Sequence, residues 1–126
     1  MSDKSKELVY LVDDDDSVRQ SLSMLFLSAG IENECFSSAE DFLAINPSEQ
    51  SSCLVTDVKM SGLSGLDLQK ELIARGLDIP IIFVTAFDTA ESRKEAKRAG
   101  AAGYFRKPVD DHALLDSIRW ALSNNE

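Results

Sequence analysis

The sequence predicts an α/β fold, a doubly wound parallel sheet with helices on both faces. Three observations predict it. Strand-like and helix-like stretches alternate five times along the chain, the pattern of βα units joined by right-handed crossovers. The run PIIFVTA at 80–86 is apolar almost throughout, which suits a strand buried on both faces. Polar, chemistry-bearing residues gather where the strands end: Asp13 and Asp14, Asp57, Thr85 and Lys107. In open parallel sheets that edge is where ligands bind.

The elements follow in order. MSDKSKEL is polar and mixed in charge, so residues 1–7 read as an N-terminal tail and not as a signal peptide. LVYLV at 8–12 is a short β-rich run. Four aspartates follow, and then Val18, Leu22, Leu25, Phe26 and Ala29 recur at helical spacing until Gly30 stops the helix. A weaker strand is expected over 31–36. Ser37 with Glu40 predicts a capping box for a second helix, closed by Pro47 and the polar SEQSS. CLVT at 53–56 reads as a third strand ending at Asp57, and SGLDLQKELIARG as a third helix closed by Gly76. After the strand at 80–86 comes a charged helix over 89–99, a strand GYFR at 103–106 and a final helix with Leu114, Leu115, Ile118, Ala121 and Leu122 on its apolar face.

At 126 residues, 44% hydrophobic and 28% charged, the chain has the makings of one domain, 1–126, with 123–126 as a tail or linker stub. A chain this long buries roughly two-thirds of its unfolded surface and needs no disulfide or structural metal to fold. The net charge of −9 argues against nucleic-acid binding by this domain, because phosphate contacts need a basic surface. No apolar run approaches the ~18 residues of a membrane span, so no membrane partner is expected and the protein reads as cytoplasmic. Cys35 and Cys53 are isolated and read as buried, reduced thiols. His112, the one histidine, reads as a surface residue at a helix start, and neither a zinc site nor a Ser-His-Asp triad is easily built around it.

The strand ends carry the chemistry. Crowded carboxylates repel, and one must protonate unless a cation sits among them. All-oxygen ligands suit a hard cation, and Mg²⁺ binds through one or two carboxylates with water and phosphate completing its shell. A carboxylate beside such an ion is a nucleophile for aspartyl-phosphate chemistry. Lys107 is placed to neutralise charge on an incoming phosphoryl group, and Thr85 to donate a hydrogen bond to it. Taken singly, each residue has a plainer role: a solvated helix start, a turn, a loop, a β-branched strand residue. Their joint placement is what the plainer roles leave unexplained.

LVDDDDSVRQSL, VTDVKMSGLSGLDL, IIFVTA and AGAAGYFRKPV together resemble the signature segments of the receiver domain of two-component response regulators, from about Val9 to Leu122. GLDLQKELIARGLDIPIIFVTAF resembles receivers of the nitrogen-fixation type, which often precede a LuxR-like helix-turn-helix domain. The resemblance implies a flavodoxin-like (βα)5 sheet in the order 2-1-3-4-5. It implies Asp57 as phosphoacceptor, Asp14 as direct Mg²⁺ ligand, Asp13 acting mainly through water, and the Lys59 backbone carbonyl as another ligand. It further implies Thr85 as the hydroxyl that moves toward the phosphoryl group, Tyr104 as the aromatic that swings inward behind it, and Lys107 as the phosphate's ion-pair partner, before a cis bond to Pro108. That leaves Asp15 and Asp16 to serve the helix N-terminus, where negative charge is favourable. The implied partners are a cognate sensor histidine kinase or phosphotransfer protein, with the fourth helix, fifth strand and fifth helix as a face for a partner or a homodimer. Mixed charges with Trp120 on that face suit a transient interface.

Two positions depart from the family pattern. Ser61 stands where proline is usual. If the backbone there is already proline-like, Ser61→Pro is expected to stabilise the fold by ~0.4–1 kcal/mol. Phe87 is bulkier than the usual residue and is expected to cover the phosphoryl group. An aspartate-dependent phosphatase of the haloacid-dehalogenase type is the rival enzyme. It needs a second aspartate two residues after the nucleophile, where this chain has Lys59. A pure interaction module is the other rival, and the presence of every site residue weighs against it. No turnover of an external substrate is expected.

Overall fold

A computed structural model describes residues 7–124. Ten elements alternate: β1 (Leu8–Val12), α1 (Asp16–Ser28), β2 (Asn33–Phe36), α2 (Ala39–Ala44), β3 (Ser52–Thr56), α3 (Gly65–Ala74), β4 (Ile81–Thr85), α4 (Ala90–Arg98), β5 (Gly103–Arg106) and α5 (Asp111–Ser123). The strands form one sheet in the order β2-β1-β3-β4-β5, every pair parallel. Both the alternation and the implied order are as expected. The tails expected at 1–7 and 123–126 fall mostly outside the described residues, and α5 runs through Ser123.

The period of two along each strand divides the core into two layers. Val9, Leu11, Val55, Ile82 and Val84 face one way and meet Leu22 and Phe26 of α1 and Leu114, Ile118 and Leu122 of α5. Tyr10, Val12, Leu54, Ile81 and Phe83 face the other way and meet Phe42 of α2, Leu68 and Leu72 of α3 and Ala96 of α4. All five residues of β4 are buried, so no side of that strand is free to carry charge. Burying a side chain such as Phe83, which is fully enclosed, contributes about 1.5–3 kcal/mol.

Local chemistry fixes the helix starts. Asp15 caps α1, its carboxylate accepting from the amides of Ser17 and Val18, and Asp16 lies in the first turn beside Arg19. Ser64 and Asp67 form a reciprocal capping box on α3. The helix ends expected at Gly30, Gly76 and Gly100 each place that glycine at positive φ, the conformation glycine adopts without strain.

Two sequence expectations need correction. The cap of α2 is Ser38, whose hydroxyl accepts from the Asp41 amide, and not Ser37 with Glu40; β2 continues through Phe36 and moves the helix start on by one residue. Cys35 is exposed while Cys53 is buried, because β2 is an edge strand and β3 is central; burial pushes the Cys53 thiol up to about 12. Trp120, placed by the sequence reading on the face of the fourth helix, fifth strand and fifth helix, is 63% exposed on α5.

Candidate functional site

The sheet ladder itself brings the site together. The Asp13 amide donates to the Phe36 carbonyl, the Asp57 amide to Val12, and the Lys107 amide to Thr85. Each bond continues the strand register one step past the strand end. Asp13, Asp57 and Lys107 therefore leave the sheet at one edge, side by side.

There the Lys107 ammonium lies 3.0 Å from Asp57 Oδ2 and 3.2 Å from Asp13 Oδ2. The other Asp57 oxygen, Oδ1, accepts from the backbone amides of Val58 at 2.6 Å and Lys59 at 3.3 Å. Asp13 is only 2% exposed, and its Oδ1 accepts from the Asp15 amide at 2.9 Å. Burial pushes the Asp13 carboxyl above the usual carboxylate range; the Asp15 amide and Lys107 oppose the shift, and the charge of Asp57 adds to it. Burial also works against the charge of Lys107. Its hydrogen bond to Asp57 and the charges of Asp13 and Asp57 outweigh that, so its pKa is raised. The two shifts differ in origin: burial dominates at Asp13, and the hydrogen bond and charges of the carboxylates dominate at Lys107.

Asp14 is exposed, and its Oδ2 accepts from the Ser61 amide at 2.9 Å. Ser61 thus uses the N–H that a proline lacks, which overturns the expectation that Ser61→Pro stabilises the fold. Lys59 points its side chain outward, the ammonium 5.2 Å from the centre of the Phe87 ring. Among the described residues, no three Asp, Glu, His or Cys side chains stand close enough together to hold a metal ion. The structure unites Asp13, Asp57 and Lys107, and ties Asp14 to the adjoining loop.

The side chains of the expected switch residues both bond to Phe87. Thr85 is fully buried, and its hydroxyl oxygen accepts from the Phe87 amide at 2.9 Å. Tyr104 is half-buried, its ring 5.8 Å from that of Phe83 and 4.6 Å from the Arg93 guanidinium. The Tyr104 hydroxyl donates to the Phe87 carbonyl at a long 3.5 Å. Burial pushes the Tyr104 phenol up, and the charge of Asp88 adds to that. The Lys107–Pro108 bond is cis, as the resemblance implied.

Two residues that shape the site escaped the sequence reading. A Cβ on Gly65 would stand 2.0 Å from the Asp57 carbonyl oxygen, and the Gly65 amide donates to Val58 at 2.7 Å. Only glycine lets α3 begin this close to Asp57. A glycine in the first turn, just after the Ser64 cap, was the available signal. Glu40 reaches from α2 to accept from the Leu63 amide at 3.1 Å; no local pattern announces that contact.

The family "Response regulator receiver domain" matches residues 9–119. Over 122 residues the chain is 42% identical to the response regulator protein TodT of Pseudomonas putida, a match covering 97% of this chain and 53% of that protein. It is 40% identical over 117 residues to the transcriptional regulatory protein FixJ of Azorhizobium caulinodans, covering 93% of this chain and 56% of FixJ. The solved structure of the response regulator StyR superposes with a TM-score of 0.86 at 43% identity, covering 96% of this chain and 61% of that one. The chain thus spans about half the length of the curated relatives it matches. In fold and in sequence, the chain belongs to the receiver domains of two-component response regulators.

Proposed function

We propose that Asp57 accepts a phosphoryl group from a phosphohistidine on a sensor kinase or phosphotransfer protein. The observation that carries this is the Asp57–Lys107–Asp13 cluster, in which a carboxylate at a strand end lies 3.0 Å from an ammonium. In the transfer, an Asp57 oxygen forms the new P–O bond. The P–N bond to the imidazole breaks, and its electron pair leaves on the ring nitrogen. Catalysis of such a transfer is mostly positioning and charge stabilisation. Lys107 stands ready to follow the added charge, and the Val58 and Lys59 amides hold Asp57 in place through Oδ1. The domain turns over no external substrate and works in the cytoplasm.

The donor set fits a hard divalent cation. Asp13, Asp14 and Asp57 set three carboxyl groups, all of them hard oxygen donors, beside one ammonium, and Asp13 is buried. Asp14, Asp57 and the Lys59 carbonyl would hold Mg²⁺ directly and Asp13 through water, once Asp14 leaves the Ser61 amide. Bound there, Mg²⁺ offsets charge on the carboxylates and the phosphoryl oxygens.

The output is a shift between two arrangements of Thr85, Tyr104 and the face of α4, β5 and α5, which then meets a partner or a second copy of the domain. Thr85 and Tyr104 both contact Phe87, so a Thr85 hydroxyl that turns to a phosphoryl oxygen disturbs the backbone against which Tyr104 rests.

The test is labelling with a small phosphodonor and Mg²⁺, read by intact mass and peptide mapping. One phosphoryl group on Asp57, absent in Asp57→Asn, is expected. Labelling elsewhere, or none in wild type, contradicts the assignment.

A further inference from the structure

The loop joining β3 to α3 supplies the Val58 and Lys59 amides that hold Asp57 and the Ser61 amide that holds Asp14. One tie reaches it from another element. Glu40, in the first turn of α2, accepts from the Leu63 amide at 3.1 Å, 23 residues along the chain. Gly62 turns the loop at a φ of +79°, and a Cβ there would stand 2.5 Å from Glu40 Oε2. The bare glycine therefore does two things: it adopts the left-handed conformation, and it admits the carboxylate against the backbone. Because Ser38 and Asp41 make the cap contact of α2, the Glu40 side chain is not occupied by its own helix end.

The two tethers sit two residues apart and connect opposite sides of the loop. Glu40 grips the Leu63 amide, and the Ser61 amide grips Asp14. Gly62, the turn between them, is the residue against which Glu40 packs. Shifting the Leu63 end moves Gly62, and with it the direction of the Ser61 N–H and of the peptide groups leading back to Lys59.

We propose that Glu40 is a positioning residue of the phosphorylation site, acting through the Gly62 turn to set the Ser61 amide and Asp14. This rests on the phosphoacceptor reading for its purpose, though not for its geometry. The physical basis is the one by which outer-shell partners tune a metal site: a ligand held by a fixed neighbour loses less freedom on binding. Removing such a partner typically weakens metal affinity about 10–100-fold.

The experiment compares wild type, Glu40→Ala and Glu40→Gln in the full chain. Amide proton shifts of Ser61 and Leu63 are recorded without metal, with core amides of Val55 and Ile82 as the check on folding. Mg²⁺ affinity is then measured by calorimetry. In Glu40→Ala both loop amides should move upfield while the core amides stay, and Mg²⁺ affinity should fall about tenfold. Glu40→Gln keeps an acceptor oxygen and should restore most of both signals. If the Leu63 amide moves alone, with Ser61 and Mg²⁺ affinity as in wild type, Glu40 only pins the loop and the proposal is overturned. A core shift common to both variants also overturns it, since the effect would then be general. If wild type binds no Mg²⁺, the metal part of the phosphoacceptor reading fails, while the metal-free shifts still decide whether Glu40 positions Ser61.

Discussion

The two ends of the proposed switch are built differently. On the β1–β3 side, short charge-assisted contacts hold the groups: Lys107 to Asp57 at 3.0 Å, Asp57 to the Val58 amide at 2.6 Å, Asp14 to the Ser61 amide at 2.9 Å. On the β4–β5 side, Tyr104 rests on a 3.5 Å hydrogen bond and on stacking with an exposed Arg93. The Thr85 hydroxyl accepts from the Phe87 amide, two residues along its own chain. The first side is already tied together by these contacts. The second is held by contacts that a modest competing interaction can replace. A group that adds charge at the first side shifts the second only by its differential affinity for the two arrangements. Weak contacts keep that requirement small.

Strain on the firm side comes mainly from the burial of the Asp13 charge, and neutralising that carboxylate tests this. Asp13→Asn should raise metal-free stability at neutral pH by on the order of 1 kcal/mol, the usual scale of one substitution. The sign follows from the raised Asp13 carboxyl. A folded-state pKa above the unfolded value gives stability that is full below the unfolded pKa and is lost as pH rises through the folded one. The variant's advantage should thus be complete at neutral pH and vanish once the pH falls below the ordinary carboxylate range. Urea melts at several pH values check it; an advantage that grows with acid contradicts the account.

The loop gives a smaller effect of opposite sign. Ser61→Pro deletes the N–H that holds Asp14 and should cost about 0.5–1.5 kcal/mol, the net worth of one hydrogen bond, partly offset by a stiffer unfolded chain. Thermal melts that show the proline variant to be more stable would mean that the Asp14 contact contributes nothing in solution.

The smallest effect lies between the two sides. Phe87 is exposed, with the Lys59 ammonium 5.2 Å from its ring centre, and the sequence expectation that Phe87 covers the phosphoryl group makes the pair a screen against water. Phe87→Ala should shorten the phospho-Asp57 half-life about two- to threefold, in line with a contact of ~0.5 kcal/mol. Radiolabel decay measures it; an unchanged or longer half-life removes Phe87 from the account.

The same contrast explains what could be read from the sequence. The five strands announce themselves by apolar runs, and the site residues are legible because each stands directly after one. Asp13 follows LVYLV, Asp57 follows CLVT, and Thr85 ends IIFVT. What was not legible depends on contacts between segments. The grip of Glu40 on Leu63 spans 23 residues, and periodicity carries no signal at that range. The use of the Ser61 amide depends on Asp14, 47 residues away. The exposure of Cys35 follows from β2 lying at the sheet edge, while its own neighbours, Asn33, Glu34 and Phe36, form a short run that reads either way. Ser37 and Ser38 are chemically equivalent as caps, and only the end of β2 at Phe36 separates them.

The link between the two sides is the central claim, and it runs through one hydroxyl. The direct measurement is amide exchange over residues 85–122, with sedimentation, before and after adding beryllofluoride and Mg²⁺ to wild type and to Thr85→Ala. Both proteins should bind the phosphoryl mimic at Asp57. Wild type should change its exchange at Phe87, Tyr104 and the α4–β5–α5 face, while Thr85→Ala should change little there. If wild type shows no change on that face, or if Thr85→Ala responds as fully as wild type, the coupling does not pass through Thr85.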